Sequence, residues 1–496
     1  MSKTTRPATR GELKVSGWKS RSVKDELRDN LRARIESGEP VFPGIVGYDK
    51  TVLPGIENAL LARHNFILLG LRGQAKSRIV RGLETLLDEY IPVIPGSLLN
   101  EDPLSPISPR GRQMVAEMGD RMPIAWLHRS ERYHEKLATP DVSIADLIGD
   151  IDPIKAAREK LDISNEEVIH WGIIPRTNRG IFAINELPDL QPRIQVGLLN
   201  ILEEKDIQFR GFPLRVPLDM LLVFTANPED YTNRGNIITP LKDRIDAQII
   251  THYPRTLAEA RAITEHEADI AAADIRIPDL VRDLIEEVSF QARASEFVDQ
   301  TSGVSARVSI AAYEALVSNI ERRVLRFRDQ DRFPRMADVY AIIPAVTGKI
   351  ELVYEGEREG SALVAHNLIG LAVKEVFARH FPEPRRERRR GDQSSAADRE
   401  NPYEAITDYF SSGRKLELSD DMPFDRYKKA LTSIAGLDRI VRRYFDTRDE
   451  REFLLRMELV LEGLHQYNVI AREIRDSAVS YGDVLSDMLR GMESDR

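Results

Sequence analysis

At 496 residues the chain is too long for a single compact core, and roughly two to four domains are expected. It contains no cysteine, which excludes a disulfide framework and thiolate-bound zinc, and its net charge of −9 argues against general polyanion binding, because nonspecific affinity for nucleic acid comes from a basic surface. A hydrophobic content of 42% against 30% charged is an ordinary globular balance. No apolar run approaches the ~20 residues that cross a bilayer, and the N-terminus lacks the apolar segment of a secretory signal, so a cytoplasmic protein without membrane contact is expected.

Residues 1–40 are polar and charged, with a helical stretch from Val23 to Ile35, and read as an N-terminal arm. At Phe42-Pro43-Gly44-Ile45-Val46-Gly47-Tyr48 a turn leads into a helix whose Val52, Ile56, Ala59 and Leu60 recur at helical spacing. Phe66 to Leu69 reads as a strand buried on both faces, and Ile79, Val80, Leu83, Leu86 and Leu87 form one face of the helix that follows.

Between them, Gly70-Leu71-Arg72-Gly73-Gln74-Ala75-Lys76-Ser77-Arg78 matches the phosphate-loop template G-x-x-x-x-G-K-[ST] with one departure, Ala75 in place of the last glycine. In such a loop, backbone N–H groups face the anion, the lysine supplies a mobile charge, and the hydroxyl reaches magnesium. A left-handed alanine would cost roughly 1–2 kcal/mol, so Ala75 is expected to have negative φ. An ordinary strand-turn-helix would show the same apolar pattern.

From Pro92 to Pro140 the text reads as a loop-rich insertion. His128, His134 and His170 fit no ligand spacing and read as surface or structural histidines. Gly180-Ile-Phe-Ala-Ile-Asn185-Glu186 is a second buried strand ending in polar residues, where a P-loop enzyme carries a metal-orienting aspartate and a water-polarising carboxylate. Glu186 suits the base. Asn185 is neutral, so a metal would lose one nearby charge while keeping a hydrogen bond through its water shell. Residues 207–216 read as a hairpin turning at Gly211, and Leu221 to Asn227 is a third apolar strand with an amide at its end. In a parallel sheet all three strand ends open on one edge, where α/β ligands bind.

From about Gly44 to Arg307 the sequence resembles the AAA+ superfamily, within it the branch of MoxR-type ATPases and magnesium-chelatase motor subunits. The resemblance implies an α/β fold, with a P-loop core of parallel sheet flanked by helices, then an α-helical lid and a C-terminal helical module. It implies ATP and Mg2+ as cofactors, with Gly70, Arg72, Gly73, Gln74, Ala75, Lys76, Ser77, Arg78 and Arg307 on the nucleotide. Lys76 and Ser77 would be the Walker A pair, and Asn185 and Glu186 the Walker B end, with Ser77 and Asn185 serving the metal, the latter partly through water. Asn227 resembles the sensor 1 residue, Arg244 in Leu241-Lys-Asp-Arg-Ile-Asp246 an arginine finger reaching a neighbouring subunit's nucleotide, and Arg307 in Gly303-Val-Ser-Ala-Arg sensor 2. MoxR-type loops can read Ala-Lys-Ser, which makes Ala75 less anomalous, whereas Asn185 departs from the pattern. The alternative for Arg244 and Arg307 is a surface salt bridge, with Asp243 or Asp246 as the partner of Arg244. Arg234 is a second finger candidate.

Beyond Arg255 the pattern turns helical. The expected organisation is an arm over 1–40, a nucleotide-binding core over 41–255, a helical lid and extension over 256–380, a charged linker over 381–400 and a helical module over 401–496. Arg385, Arg386 and Arg388 to Arg390 read as a solvated linker, since no aromatic residues interleave. The implied activity is that of a ring, a hexamer by resemblance, which hydrolyses ATP and remodels a partner protein. That partner often carries a von Willebrand factor A domain; the D-x-S-x-S motif of such a domain is absent here, so the partner would be a separate chain. The alternatives are a magnesium-chelatase motor subunit and a weakly hydrolysing nucleotide-binding scaffold. A sigma-54-type activator is disfavoured by the missing G-A-F-T-G-A loop.

Overall fold

The computed structural model describes residues 6–484 apart from 153, 155–157, 159–167, 209–214, 229–235, 273, 329–330, 385–400, 420 and 476–477. The hairpin turn at Gly211, Arg234 and the linker arginines fall outside the described residues. The chain divides into two compact units, Met1–Tyr253 and Pro254–Arg496.

The first unit is built on five parallel strands: β1 (Phe66–Leu69), β4 (Tyr133–Leu137), β7 (Gly180–Asn185), β10 (Met220–Ala226) and β11 (Ala247–Ile250), ordered β11-β1-β10-β7-β4. Period-two alternation sends Ile67, Leu69, Phe182, Ile184, Leu222 and Phe224 into one core, and Phe66, Leu68, Ile181, Ala183, Leu221 and Val223 into another. Both faces of β1, β7 and β10 are therefore covered, which is why these three read as continuous apolar runs, whereas the edge strands β4 and β11 are only partly buried. Helices α1 (Arg10–Val15), α2 (Val23–Ser37), α3 (Val52–Leu61) and α4 (Lys76–Gly82) precede or follow β1, and residues of the last three line the second core.

The expected N-terminal arm is part of this unit. Leu27 and Leu31 of α2 are buried in the second core, and Glu26 forms a two-pronged pair with Arg132 at 2.8 and 2.7 Å, both side chains almost fully buried. The insertion between β1 and β7 carries two small antiparallel pairs, β2 (Tyr90–Val93) with β3 (Ala125–His128) and β5 (Gly149–Ile151) with β6 (Ile169–Trp171). His128 pairs with Ser130 and His134 with Thr177, both through Nδ1. The expected hairpin at 207–216 has its described flanks in β8 (Asp206–Gln208) and β9 (Arg215–Pro217).

The second unit is largely helical, around Asp279–Ala294, Arg307–Phe327, Ser361–His380 and Glu450–Gln466. One apolar core runs from Ile277 to Tyr481, so the expected lid and C-terminal module share it. It also holds an antiparallel sheet that the helical reading missed, ordered β12-β14-β13 from β12 (Leu416–Ser419), β13 (Ala471–Arg475) and β14 (Ala478–Gly482). The expectation that no segment is long and apolar enough to cross a bilayer needs correcting for Ser361–His380. Half of that helix is packed inside the unit, with Val364, Leu368, Ile369, Val373 and Phe377 in its core. The α/β class expected from the sequence, a parallel sheet flanked by helices with a mainly helical continuation, is the one observed.

Candidate functional site

The register pairs Leu69 with Ala226 and Phe224 with Ile184, so the carboxyl ends of β1, β10 and β7 lie side by side. Gly70, Asn227 and Glu186 each follow one of these ends. The loop after β1 returns toward it through Lys76, whose ammonium donates to Asn227 Oδ1 and to Leu71 O at 3.0 Å each, and also to Gly70 O. Lys76 is thus a buried cation that donates to these three oxygens, at the place where the strand ends converge.

The loop is shaped from outside. The single O–H of Tyr48 is shared between His252 O at 2.7 Å and Gln74 O at 3.0 Å, and Tyr253 donates to Arg72 O at 2.9 Å. The Thr251 hydroxyl donates to the buried Gln74 side chain at 2.6 Å. Burial pushes the Tyr48 phenol up to about 12, so it stays a donor across the physiological range. Drawing carbonyl oxygens outward favours N–H groups on the inner side, as a phosphate cradle requires. Gly70 is obligatory because a Cβ there would collide with the Thr251 hydroxyl and the Gln74 side chain. Sequence reasoning missed Tyr48, Thr251 and Tyr253; their positions flanking the apolar elements Val52–Leu61 and Ala247–Ile250 were the available signal.

Ala75 corrects an expectation: its φ is +56° and its ψ 11°, a left-handed residue capping α4, two places after Gly73 with φ +73°. The surrounding ties over-determine the loop and hold alanine in a conformation it disfavours by roughly 1–2 kcal/mol. Glu186 is also left-handed, with φ +56° and ψ +50°. Such clustering of strained residues is a mark of ligand and catalytic sites. The Glu186 N–H donates to Thr225 Oγ1 at 3.2 Å, and that hydroxyl lies 3.3 Å from Asn185 Oδ1 as donor, so Thr225 on β10 ties both residues at the end of β7.

Ser77 is exposed in the first turn of α4, and Arg78 is half-buried beside it. The Ser77 hydroxyl, the Asn185 amide oxygen and the Glu186 carboxylate are the oxygen donors that a hard divalent cation such as Mg2+ takes, and the glycine-lined cradle with Lys76 suits a polyphosphate, so the residues present fit both.

Arg244 ends the helix Thr239–Arg244 and makes a salt bridge, but neither Asp243 nor Asp246 is its partner. Its Nε and Nη2 reach Glu203 Oε2 at 2.7 Å each, and its Nη1 donates to Pro240 O at 3.0 Å. Asp246 instead accepts the backbone N–H of Asn65 at 2.8 Å, anchoring the start of β1. Arg307 is the exposed first residue of the helix Arg307–Phe327 in the second unit.

No family profile matches the chain. Solved structures similar to it include a RuvB mutant of Thermotoga maritima, at 13% identity, covering 65% of this chain and 69% of that one with a TM-score of 0.33. Another is the complex between subunits BchI and BchD of magnesium chelatase, at 18% identity, 65% and 99% coverage and a TM-score of 0.33. A third is NtrX from Brucella abortus, at 14% identity, 70% and 66% coverage and a TM-score of 0.38. At these identities and scores the likenesses carry no argument about chemistry, which rests on the site itself.

Proposed function

We propose that the chain is an ATPase of the AAA+ superfamily, in the MoxR or magnesium-chelatase motor branch, that binds ATP with Mg2+ on the loop Gly70–Arg78 and works in a homo-oligomeric ring on a separate partner protein. The observation that carries this reading is the meeting of Lys76 with Asn227, beside the strand end that bears Glu186. A cation on a glycine-bearing loop, an amide and a carboxylate on three neighbouring strand ends form the set that phosphoryl transfer to water needs. Lys76 would exchange its carbonyl partners for phosphate oxygens, a charge-assisted contact stronger than the one it leaves. Glu186 would polarise the attacking water and accept its proton, and Asn227 would fix that water's position. Magnesium, when bound, supplies neutralisation of charge on the phosphoryl oxygens.

Arg244 is the finger candidate for a neighbouring subunit, its exposed pair with Glu203 being weak enough to exchange. Arg307 is the sensor 2 candidate. The hexamer and the partner bearing a von Willebrand factor A domain are carried by the sequence resemblance, and the cytoplasmic location by the composition and N-terminal sequence. The neutral amide of Asn185 favours a second reading, a nucleotide-binding scaffold with little turnover. Turnover decides between them: a motor loses its activity in Glu186→Gln, whereas equal rates for wild type and variant would remove Glu186 from the base role. Oligomer mass measured with and without ATP, on wild type and Lys76→Ala, tests the ring, and a monomer insensitive to nucleotide would sink it.

A further inference from the structure

Thr225 is the one polar residue of the apolar strand β10, and it is almost fully buried. A hydroxyl in such a place costs free energy unless it is hydrogen-bonded, and its bonds run to the end of the neighbouring strand β7. Its backbone stands beside Leu68 of β1, and the carbonyl of the next residue, Ala226, accepts the N–H of Gly70 at 3.1 Å. On the other side the pairing of β10 with β7 runs as far as Phe224 with Ile184. One step further the threonine side chain takes over from the ladder: Oγ1 accepts the Glu186 N–H at 3.2 Å and donates to Asn185 Oδ1 at 3.3 Å.

Threonine is β-branched and stiff at χ1, so its hydroxyl goes where the backbone sends it, and that backbone is held by the strand that leads into the phosphate loop. One lone pair of Oγ1 takes the Glu186 N–H, and the hydroxyl proton is turned to Asn185 Oδ1. With its N–H held by a side-chain oxygen, Glu186 leaves the strand and adopts the left-handed conformation, φ +56° and ψ +50°. The direction of the Glu186 carboxylate therefore depends on a hydroxyl two residues before Asn227.

We infer that Thr225 is a positioning residue for hydrolysis: its hydroxyl sets the backbone turn that aims the Glu186 carboxylate and holds the Asn185 amide through its oxygen. The inference rests on the P-loop reading above. It makes β10 serve the chemistry twice, with Asn227 meeting Lys76 just beyond its end and Thr225 meeting the two residues that end and follow β7. Valine has the shape of threonine without the hydroxyl, and serine has the hydroxyl without the methyl, so the two substitutions separate hydrogen bonding from packing.

The test is steady-state hydrolysis and calorimetric titration of ATP with Mg2+ on the full-length protein, in wild type, Thr225→Val, Thr225→Ala and Thr225→Ser. Thr225→Val and Thr225→Ala are expected to lower kcat about 10- to 100-fold, as a misaimed catalytic group does, with the ATP dissociation constant changed by less than about threefold. Thr225→Ser is expected to recover most of the rate. In a Glu186→Gln background Thr225→Val is expected to add little, because groups that act as a unit are not additive. A kcat unchanged in either hydroxyl-free variant that folds, a loss in Thr225→Ser as large as in Thr225→Val, a loss confined to ATP affinity, or a full additional loss on Glu186→Gln would overturn the inference while leaving the P-loop reading intact. So would a failure of both hydroxyl-free variants to fold, read from urea unfolding, since the hydroxyl would then be structural. A wild type that binds or hydrolyses no ATP, or a Lys76→Ala variant that binds it equally well, would overturn both this inference and the ATPase reading.

Discussion

Lys76 Nζ and Asn227 Oδ1 lie 3.0 Å apart across 151 residues of sequence. The contact joins the end of the first strand's loop to the end of the adjacent parallel strand, and makes the lysine's position depend on both. Asn227→Ala removes that acceptor, while the carbonyls of Gly70 and Leu71 stay in place. ATP affinity should then change by less than about threefold, while turnover falls about 100-fold through loss of a preorganised polar group. Parallel titration and steady-state hydrolysis check both halves, and a turnover unchanged by the substitution would remove Asn227 from the chemistry.

Ala75 is held left-handed, so glycine there should relieve strain. Ala75→Gly is expected to stabilise the first unit by about 0.5–1 kcal/mol, and Ala75→Val, with a β-branched side chain at positive φ, to destabilise it by more than that. Urea unfolding followed by tryptophan fluorescence reports on this unit, since Trp18, Trp126 and Trp171 all lie within it.

The Glu26–Arg132 pair ties α2 to the start of β4 with both side chains almost completely buried. Glu26→Ala strands a guanidinium in that interior and should cost about 3–5 kcal/mol. The double variant Glu26→Leu with Arg132→Met should recover most of the loss, because replacing both partners by apolar groups removes the uncompensated charge. Denaturant midpoints of the single and double variants test the coupling.

In the second unit, burial pushes Glu458 up to about 7, against hydrogen bonds from Met336 N and the Tyr427 hydroxyl. The folded state therefore binds a proton more tightly than the unfolded state, whose carboxyl titrates near the ordinary 4.5. This group's contribution to stability is fully present below pH 4.5 and is lost as pH rises through about 7, a change of about 3 kcal/mol. Glu458→Gln should flatten that dependence between pH 5 and 8, read from hydrogen exchange in the helix Glu450–Gln466. An unaltered slope would show that other groups set it.

Arg244 and Glu203 are both partly exposed, so Glu203→Ala should shift stability by less than about 1 kcal/mol. Arg244→Ala in a ring should lower turnover about 1000-fold, with activity partly regained on mixing it with Glu186→Gln subunits, because each supplies what the other lacks. No regain on mixing would place Arg244 outside the shared site.

The legible part of the site was the local part. Gly70, Lys76, Asn185, Glu186 and Asn227 each follow or end an apolar run, and β1, β7 and β10 are apolar because both their faces are buried. What could not be read depends on contacts distant in sequence. Tyr48, Thr251 and Tyr253 act on the loop from 26 to 181 positions away. The partner of Arg244 lies 41 residues upstream, whereas sequence reasoning looked only to its immediate neighbours. Ala75 was misread because the cost of its own Cβ was weighed without the ties that fix the loop around it. The sheet of β12, β13 and β14 was missed because each strand is short and the adjoining text, from Leu454 to Leu461, is strongly helical in period.

The hydroxyl ties of Tyr48, Thr251 and Tyr253 have a thermodynamic consequence. They tie the loop to the fold itself, so much of the conformational entropy of its residues is lost during folding rather than when a ligand arrives. Association through such a loop needs no slow closure step, and its rate should follow diffusion and the charge of Lys76 more than any rearrangement of the backbone.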